Sequence, residues 1–134
     1  MHNLGGIIDL GVTDPAFIGN GWSGVKDWNE RRREVRFAEG PRAGVFVPTD
    51  RAEPLRIYIE CAVPEGTDPV PVEVWLNGSR LGGFFPGEDM QEHIFTAETR
   101  WWKRLNLLEL VSAENTGGRA FLAVDRFRFE RLDP

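Results

Sequence analysis

Aromatic side chains are the groups in this 134-residue chain with the most to offer a ligand: five tryptophans, one tyrosine and nine phenylalanines. A flat ring with little side-chain entropy and a polar edge is how proteins grip the apolar face of a sugar. Trp75 and Tyr58 stand out because the alternation of Val72-Glu73-Val74-Trp75-Leu76 and Leu55-Arg56-Ile57-Tyr58-Ile59 turns both away from the apolar side of their segments. Arg56 shares the Tyr58 side. Trp22 and Trp28 fall in a stretch rich in Gly, Asn and Ser, read as a loop, where binding residues concentrate. Trp22, Trp28, Arg56, Tyr58 and Trp75 are therefore the expected ligand-binding set. The alternative for Trp22 is that a large aromatic plugs the end of the core, and for Trp75 that a loop covers it. Trp101 and Trp102 are adjacent, so on a strand one faces in and the other out.

Catalysis has little to work with. His2 lies at the terminus, and His93 in Gln91-Glu92-His93-Ile94-Phe95 reads as a surface residue of an alternating strand. No serine or cysteine stands in a nucleophile motif. Twenty-one acidic residues give many accidental carboxylate pairs, so their number says nothing about glycoside hydrolysis. Cys61 is the sole cysteine and is in phase with Leu55, Ile57 and Ile59, which makes it an inert core thiol. The expectation is a protein that is not an enzyme and has no required cofactor.

The formal net charge is −5, and the basic residues are scattered among acidic ones. The dense run Glu30-Arg31-Arg32-Arg33-Glu34-Val35-Arg36 is bracketed by carboxylates and reads as a solvated loop or an edge strand, where charge discourages pairing with other chains. Nucleic acid is not an expected partner, because that function needs a basic face. No stretch approaches the roughly eighteen apolar residues of a membrane helix, and the start of the chain has no secretory signal pattern. As written, the chain is expected in the cytoplasm, or outside it if it is a piece of a larger exported protein.

The elements that must position the aromatics are strands. Fifteen glycines and nine prolines punctuate the chain at short intervals. Between them lie runs expected as strands over 34–38, 43–47, 55–63, 70–76, 80–85, 92–96, 105–111 and 121–132. Asn77-Gly78 is the strongest hairpin signal, since both residues tolerate the positive φ of a type I′ turn. The only helical hint is one turn near Asp14–Ile18. Eight or nine short strands in one chain of this length predict one all-β domain over residues 1–134, with its core in about 8–132. The fold class is a two-sheet antiparallel β-sandwich or a barrel.

Five segments, taken in order, carry a resemblance. They are Ile8-Asp9-Leu10-Gly11, Gly21-Trp22-Ser23, Arg42-Ala43-Gly44-Val45-Phe46-Val47, Val72-Glu73-Val74-Trp75-Leu76-Asn77-Gly78 and Ala123-Val124-Asp125-Arg126-Phe127-Arg128-Phe129. Their order resembles the galactose-binding-domain-like jelly rolls, which include many carbohydrate-binding modules and small domains appended to bacterial membrane glycosyltransferases. The resemblance spans about Ile8 to Leu132 and narrows the sandwich to a jelly roll. It implies a non-catalytic module whose partner is a carbohydrate or polysaccharide, with a glycan-processing protein or self-association as alternatives. Calcium-binding members carry an acidic residue ahead of the last strand, as Asp125 stands here. The resemblance therefore implies a structural calcium held by Asp125 and Asp9, against the plainer reading of Asp125 as a cap or an arginine partner. One departure is that Val25-Lys26 separates the Gly-Trp-Ser segment from Asp27, where such domains often place an acidic residue sooner.

Overall fold

The computed structural model describes residues 7–10, 17–28, 33–49 and 54–132. Its strands are β1 (Ile7–Asp9), β2 (Trp22–Trp28), β3 (Arg33–Ala38), β4 (Arg42–Pro48), β5 (Leu55–Ala62), β6 (Val72–Leu76), β7 (Ser79–Phe84), β8 (Gln91–Ala97), β9 (Leu105–Ser112) and β10 (Leu122–Arg131). They form two antiparallel sheets. Sheet A has the order β2-β3-β10-β5-β8, with β1 also beside β10, and sheet B has the order β4-β9-β6-β7. The chain crosses between sheets in most of its connections, so the two layers are sewn together along their length. This is the all-β antiparallel sandwich expected from the alternation. No helix among the described residues is long and apolar enough to cross a membrane.

Period-two burial builds the core. Leu55, Ile57, Ile59 and Cys61 of β5 meet Val72, Val74 and Leu76 of β6 and Leu108 and Leu110 of β9 across the interlayer, and all are 0–1% exposed. Phe127 and Phe129 of β10 complete it, with Trp22 and Trp102 set edge-on against them at ring separations of 6.4 and 6.5 Å. Such T-shaped pairs add to the burial itself. Burial also pushes the Cys61 thiol far above its ordinary range, which fits an inert core residue.

Strand β10 is central because both its edges are used. One edge pairs with β5 throughout; the other pairs with β3 at Leu122–Val124 and with β1 at Arg126–Arg128. The register against β5 shifts between Val124 and Arg126, a bulge at Asp125 that an unbroken alternation over 121–132 does not foresee.

Four further expectations need correction. The arginine-rich run does not form a sheet edge: the part described is β3, which lies between β2 and β10, while residues 29–32 fall outside the described residues. Trp22 and Trp28 are not in a loop but begin and end β2, whose exposed edge carries polar residues on both faces and so shows no alternation. His93 is not a surface residue. It lies on the inward phase of β8, stacked on Phe84 at 4.3 Å, because pairing of Ile59 with His93 and of Tyr58 with Ile94 fixes that register. Trp101 and Trp102 do divide into half-buried and buried, but around a one-turn 3₁₀ helix at Thr99–Trp101 rather than on a strand. The helical turn expected near Asp14–Ile18 lies mostly outside the described residues.

The end of the sandwich between the β6–β7 hairpin and the 3₁₀ turn is held by Asn106, which is fully buried. Its Oδ1 accepts from the Lys103 amide at 2.6 Å and from the Asn77 side-chain amide at 2.9 Å. Its Nδ2 donates to the Val47 and Lys103 carbonyls, each at 2.8 Å. Asn106→Ala leaves several of these groups without partners and is expected to lower unfolding free energy by about 2–4 kcal/mol in urea denaturation. A smaller loss than a core Ile→Val change would show the network to be dispensable.

His93 gives a pH signature. Its Nε2 is buried without a hydrogen-bond partner, and desolvation lowers its pKa below the ordinary 6.5. The fold therefore favours the neutral ring. Its contribution is complete above pH 6.5 and is lost as pH falls below that value, where the unfolded chain takes up the proton more readily. Wild type should lose stability between neutrality and mildly acidic pH, and His93→Phe should flatten that slope. Equal slopes for the two proteins would discard this role.

Candidate functional site

The outer faces of the two sheets differ in chemistry. On sheet A the outward residues of β10 and β5 neutralise each other. Arg126 Nε donates to Glu60 Oε1 at 2.8 Å, Arg56 Nη1 to Glu130 Oε1 at 3.1 Å, and Tyr58 Oη to the same Glu130 oxygen at 2.8 Å. Arg128 lies flat over the Tyr58 ring, its guanidinium carbon 3.7 Å from the centroid, and reaches Glu92 of β8 at 3.3 Å. Tyr58 thus faces outward as its strand phase dictates, yet is only 9% exposed. Arg56 is tied to Glu130 beside it. Around Tyr58 this face is closed by its own charges, while Ile94 opposite it on β8 stays 56% exposed.

Sheet B leaves its outer face more open. Trp75 projects from β6, across from Glu109 of β9 on one side and Arg80 of β7 on the other. Its indole N–H donates to Glu73 Oε1 at 3.1 Å, and Glu73 Oε2 forms an ion pair with Arg80 Nε at 3.4 Å. Glu109 is held in turn by Arg42 of β4 at 3.1 Å. Gly44 sits opposite Glu109, and a side chain there would run into Leu107 and Glu109, so glycine lets those two lie low over the sheet. Phe46 and Leu107 continue the surface toward Leu105, which is 61% exposed. The result is a half-buried indole with its polar edge fixed, flanked by two carboxylate–guanidinium pairs and an apolar strip.

The five expected ligand residues do not share one groove. Trp75 belongs to the outer face of sheet B, and Arg56 and Tyr58 to that of sheet A. Trp22 packs on the core, with its Nε1 donating to the Gly44 carbonyl at 2.8 Å and its ring on Phe127. Trp28 is half-buried at the end of β2, opposite Arg33. Sequence reasoning missed Phe46 and Leu107, whose outward phase on β4 and β9 reveals itself only once Val45, Val47 and Leu108 are known to be core.

The structure also bears on a calcium held by Asp9 and Asp125. Both carboxylates lie close to Arg126, whose pKa is raised chiefly by its hydrogen bond to Glu60 and further by Asp125 and Asp9. Backbone oxygens nearby are already used: Leu10 N donates to the Asp125 carbonyl, and Arg36 Nε to the Leu10 carbonyl at 3.0 Å. Calcium takes about six to eight oxygen ligands, and among the described residues no three acidic, His or Cys side chains gather. A guanidinium thus stands where the ion's charge would be needed, and the described residues do not fit a calcium cage.

No family model and no curated protein sequence matches the chain. Its structure is similar to solved carbohydrate-binding modules. A Podospora anserina GH26-CBM35 β-(1,4)-mannanase aligns at TM-score 0.70 and 13% identity over 98% of this chain, which spans 28% of that longer one. The CBM22-1 xylan-binding domain of Paenibacillus barcinonensis Xyn10C aligns at TM-score 0.66 and 11% identity, covering 96% of this chain and 94% of its own. A family 36 module solved with calcium and xylotriose aligns at TM-score 0.56 and 12% identity, covering 92% and 98%. The fold is the jelly-roll sandwich of these modules.

The Arg126 environment sets an expectation distinct from that of the calcium-bound module. Adding millimolar calcium, or removing it with a chelator, should leave the melting temperature unchanged. A rise of several degrees with calcium that is abolished by Asp125→Asn would reverse this assignment.

Proposed function

We propose that the chain is a non-catalytic carbohydrate-binding module that takes a polysaccharide on the outer face of sheet B, with Trp75 as the stacking platform. The observation that carries this reading is the setting of Trp75. Its indole N–H is committed to Glu73, which fixes the ring, and the Glu73–Arg80 and Arg42–Glu109 pairs flank it with acceptors and donors at the height of sugar hydroxyls. A ring face for C–H contacts with polar groups at its rim is the arrangement that carbohydrate recognition needs. Structural similarity to a mannanase-linked CBM35, a xylan-binding domain and a xylotriose complex makes mannan and xylan the first polymers to test.

Affinity electrophoresis or calorimetry on wild type and Trp75→Ala, with unchanged circular dichroism, tests the assignment. Loss of the ring should weaken binding at least roughly tenfold, or about 1.4 kcal/mol. Equal binding by both proteins would remove Trp75 from the site. Exposed Leu105, continued by the half-buried Phe46 and Leu107, favours one other reading, self-association through the same face. Light scattering distinguishes them: a stable dimer that dissociates on Leu105→Lys would replace the sugar platform with an interface.

A further inference from the structure

A second recessed surface lies at the end of the sandwich, away from the middle of the sheet B face. A cavity of about 390 Å³ is lined by Leu76, Asn77, Ser79, Arg100, Trp101 and Lys103, within the usual range of about 300–1,000 Å³ for small-molecule sites. We propose that this cleft binds a pyranose ring carrying one exocyclic anion, a carboxylate or a sulfate.

Its walls are rigid before any ligand arrives. Asn77 and Gly78 take φ of 51° and 85°, the left-handed pair of a type I′ turn, which aims the Asn77 side chain back at the 3₁₀ turn. There its Nδ2 donates to the Trp101 carbonyl and to Asn106 Oδ1, each at 2.9 Å, while its Oδ1 accepts from the Leu107 amide at 2.9 Å. Lys103 is clamped through both its amide and its carbonyl to Asn106, and the carbonyl also accepts from Thr49 Oγ1 at 2.6 Å. The backbones of Trp101 and Lys103 are therefore held by a buried amide network, which limits the backbone ordering a ligand would have to impose.

The chemistry of the lining selects the ligand. Trp101, which is half-buried, supplies an apolar wall and Ser79 a hydroxyl, which suit a sugar ring. Arg100 lies over the Trp101 ring, its guanidinium carbon 5.0 Å from the centroid, so a sugar ring set against the part of the indole left open would have a cation beside its exocyclic group. Arg100 also touches Glu98 at 3.0 Å, but both partners are mostly exposed (74% and 65%), and such pairs contribute only about 0–1 kcal/mol and exchange readily. The Lys103 ammonium forms no ion pair among the described residues. Two cations beside an aromatic wall form a local positive site on a chain of net charge −5. That the ring is a sugar rests on the carbohydrate-binding reading; the anion and the place do not, and neither depends on Trp75.

Tryptophan-fluorescence and amide-shift titrations of the whole chain test this, using glucuronate, glucose 6-sulfate, glucose and acetate. At least one anionic sugar should bind roughly tenfold or more tightly than both glucose and acetate, more weakly in high salt, with shifts centred on Ser79, Trp101 and Lys103. The tighter of the two anionic sugars names the anion. Arg100→Ala and Lys103→Ala, both at exposed positions that spare the fold, should each weaken that binding several-fold, whereas Trp75→Ala should not. Retention of anionic-sugar binding by a protein that ignores xylan and mannan would support this site while failing the Trp75 platform. Glucose binding as tightly as glucuronate and the sulfate sugar, acetate binding as tightly, no binding of either anionic sugar at tens of millimolar, or full binding by both cation variants would each overturn it.

Discussion

The amide of Asn106 is the interaction on which the hairpin end of this molecule depends. A primary amide offers two donors and an acceptor with two lone pairs, and here all are engaged out of reach of water. Through them one side chain joins the end of β4, the 3₁₀ turn, the start of β9 and the tip of the β6–β7 hairpin. None of these could be fixed by apolar packing alone, because each presents backbone polar groups that must be paired when buried. Asn77 makes the same economy visible from the other side: its backbone forms the hairpin turn, and its side chain ties that turn to the network. Order at this end thus comes from a few directional bonds rather than from area.

Away from that end the sandwich is governed by β10, which serves three partner strands. Its bulge at Asp125 lies between the stretch paired with β3 and the stretch paired with β1. The outward side chains beyond it are Arg126, Arg128 and Glu130. In register with Glu60, Tyr58 and Arg56, they form a lattice of alternating charge across two strands. Cross-strand opposite charges of this kind contribute modestly one by one, yet together they cover the only tyrosine. Around Trp75 sheet B has two separate ion pairs rather than a continuous lattice, because Gly44 and Leu107 occupy neighbouring positions. The asymmetry between a self-neutralised face and an open one follows from which residues the two registers bring side by side.

Much of this was legible in the chain. The alternation in 55–63 and 70–76 identified both core strands and their outward residues, and Asn77-Gly78 marked its own hairpin. What escaped had physical causes. Strand β2 is a wet edge with no apolar phase to read. His93 and Ile94 offered a polar and an apolar residue on opposite faces, and only pairing with β5 decided which went inside. Tyr58 was rightly turned outward, but strand phase cannot say that an arginine from another strand will lie over it. The cleft around Trp101 joins residues about 25 positions apart through a side-chain network. No local pattern encodes that, although the paired tryptophans followed by Lys103, one of only two lysines, were its visible trace.

On the carbohydrate-binding reading proposed above, the same geometry suits the sheet B face to binding rather than hydrolysis. Cleaving a glycoside takes two carboxyl groups about 5–10 Å apart on either side of the bond, one free to give a proton and the other free to attack or to activate water. Glu73 and Glu109 do flank Trp75. However, Glu73 accepts from the Trp75 indole and pairs with Arg80, and Glu109 Oε1 accepts from Arg42. Glu73 is thereby committed to the indole and to Arg80, and Glu109 to Arg42. Carboxylates in that position hold the indole edge in place. The pairing that fixes the indole for stacking is therefore also what withholds these two groups from chemistry.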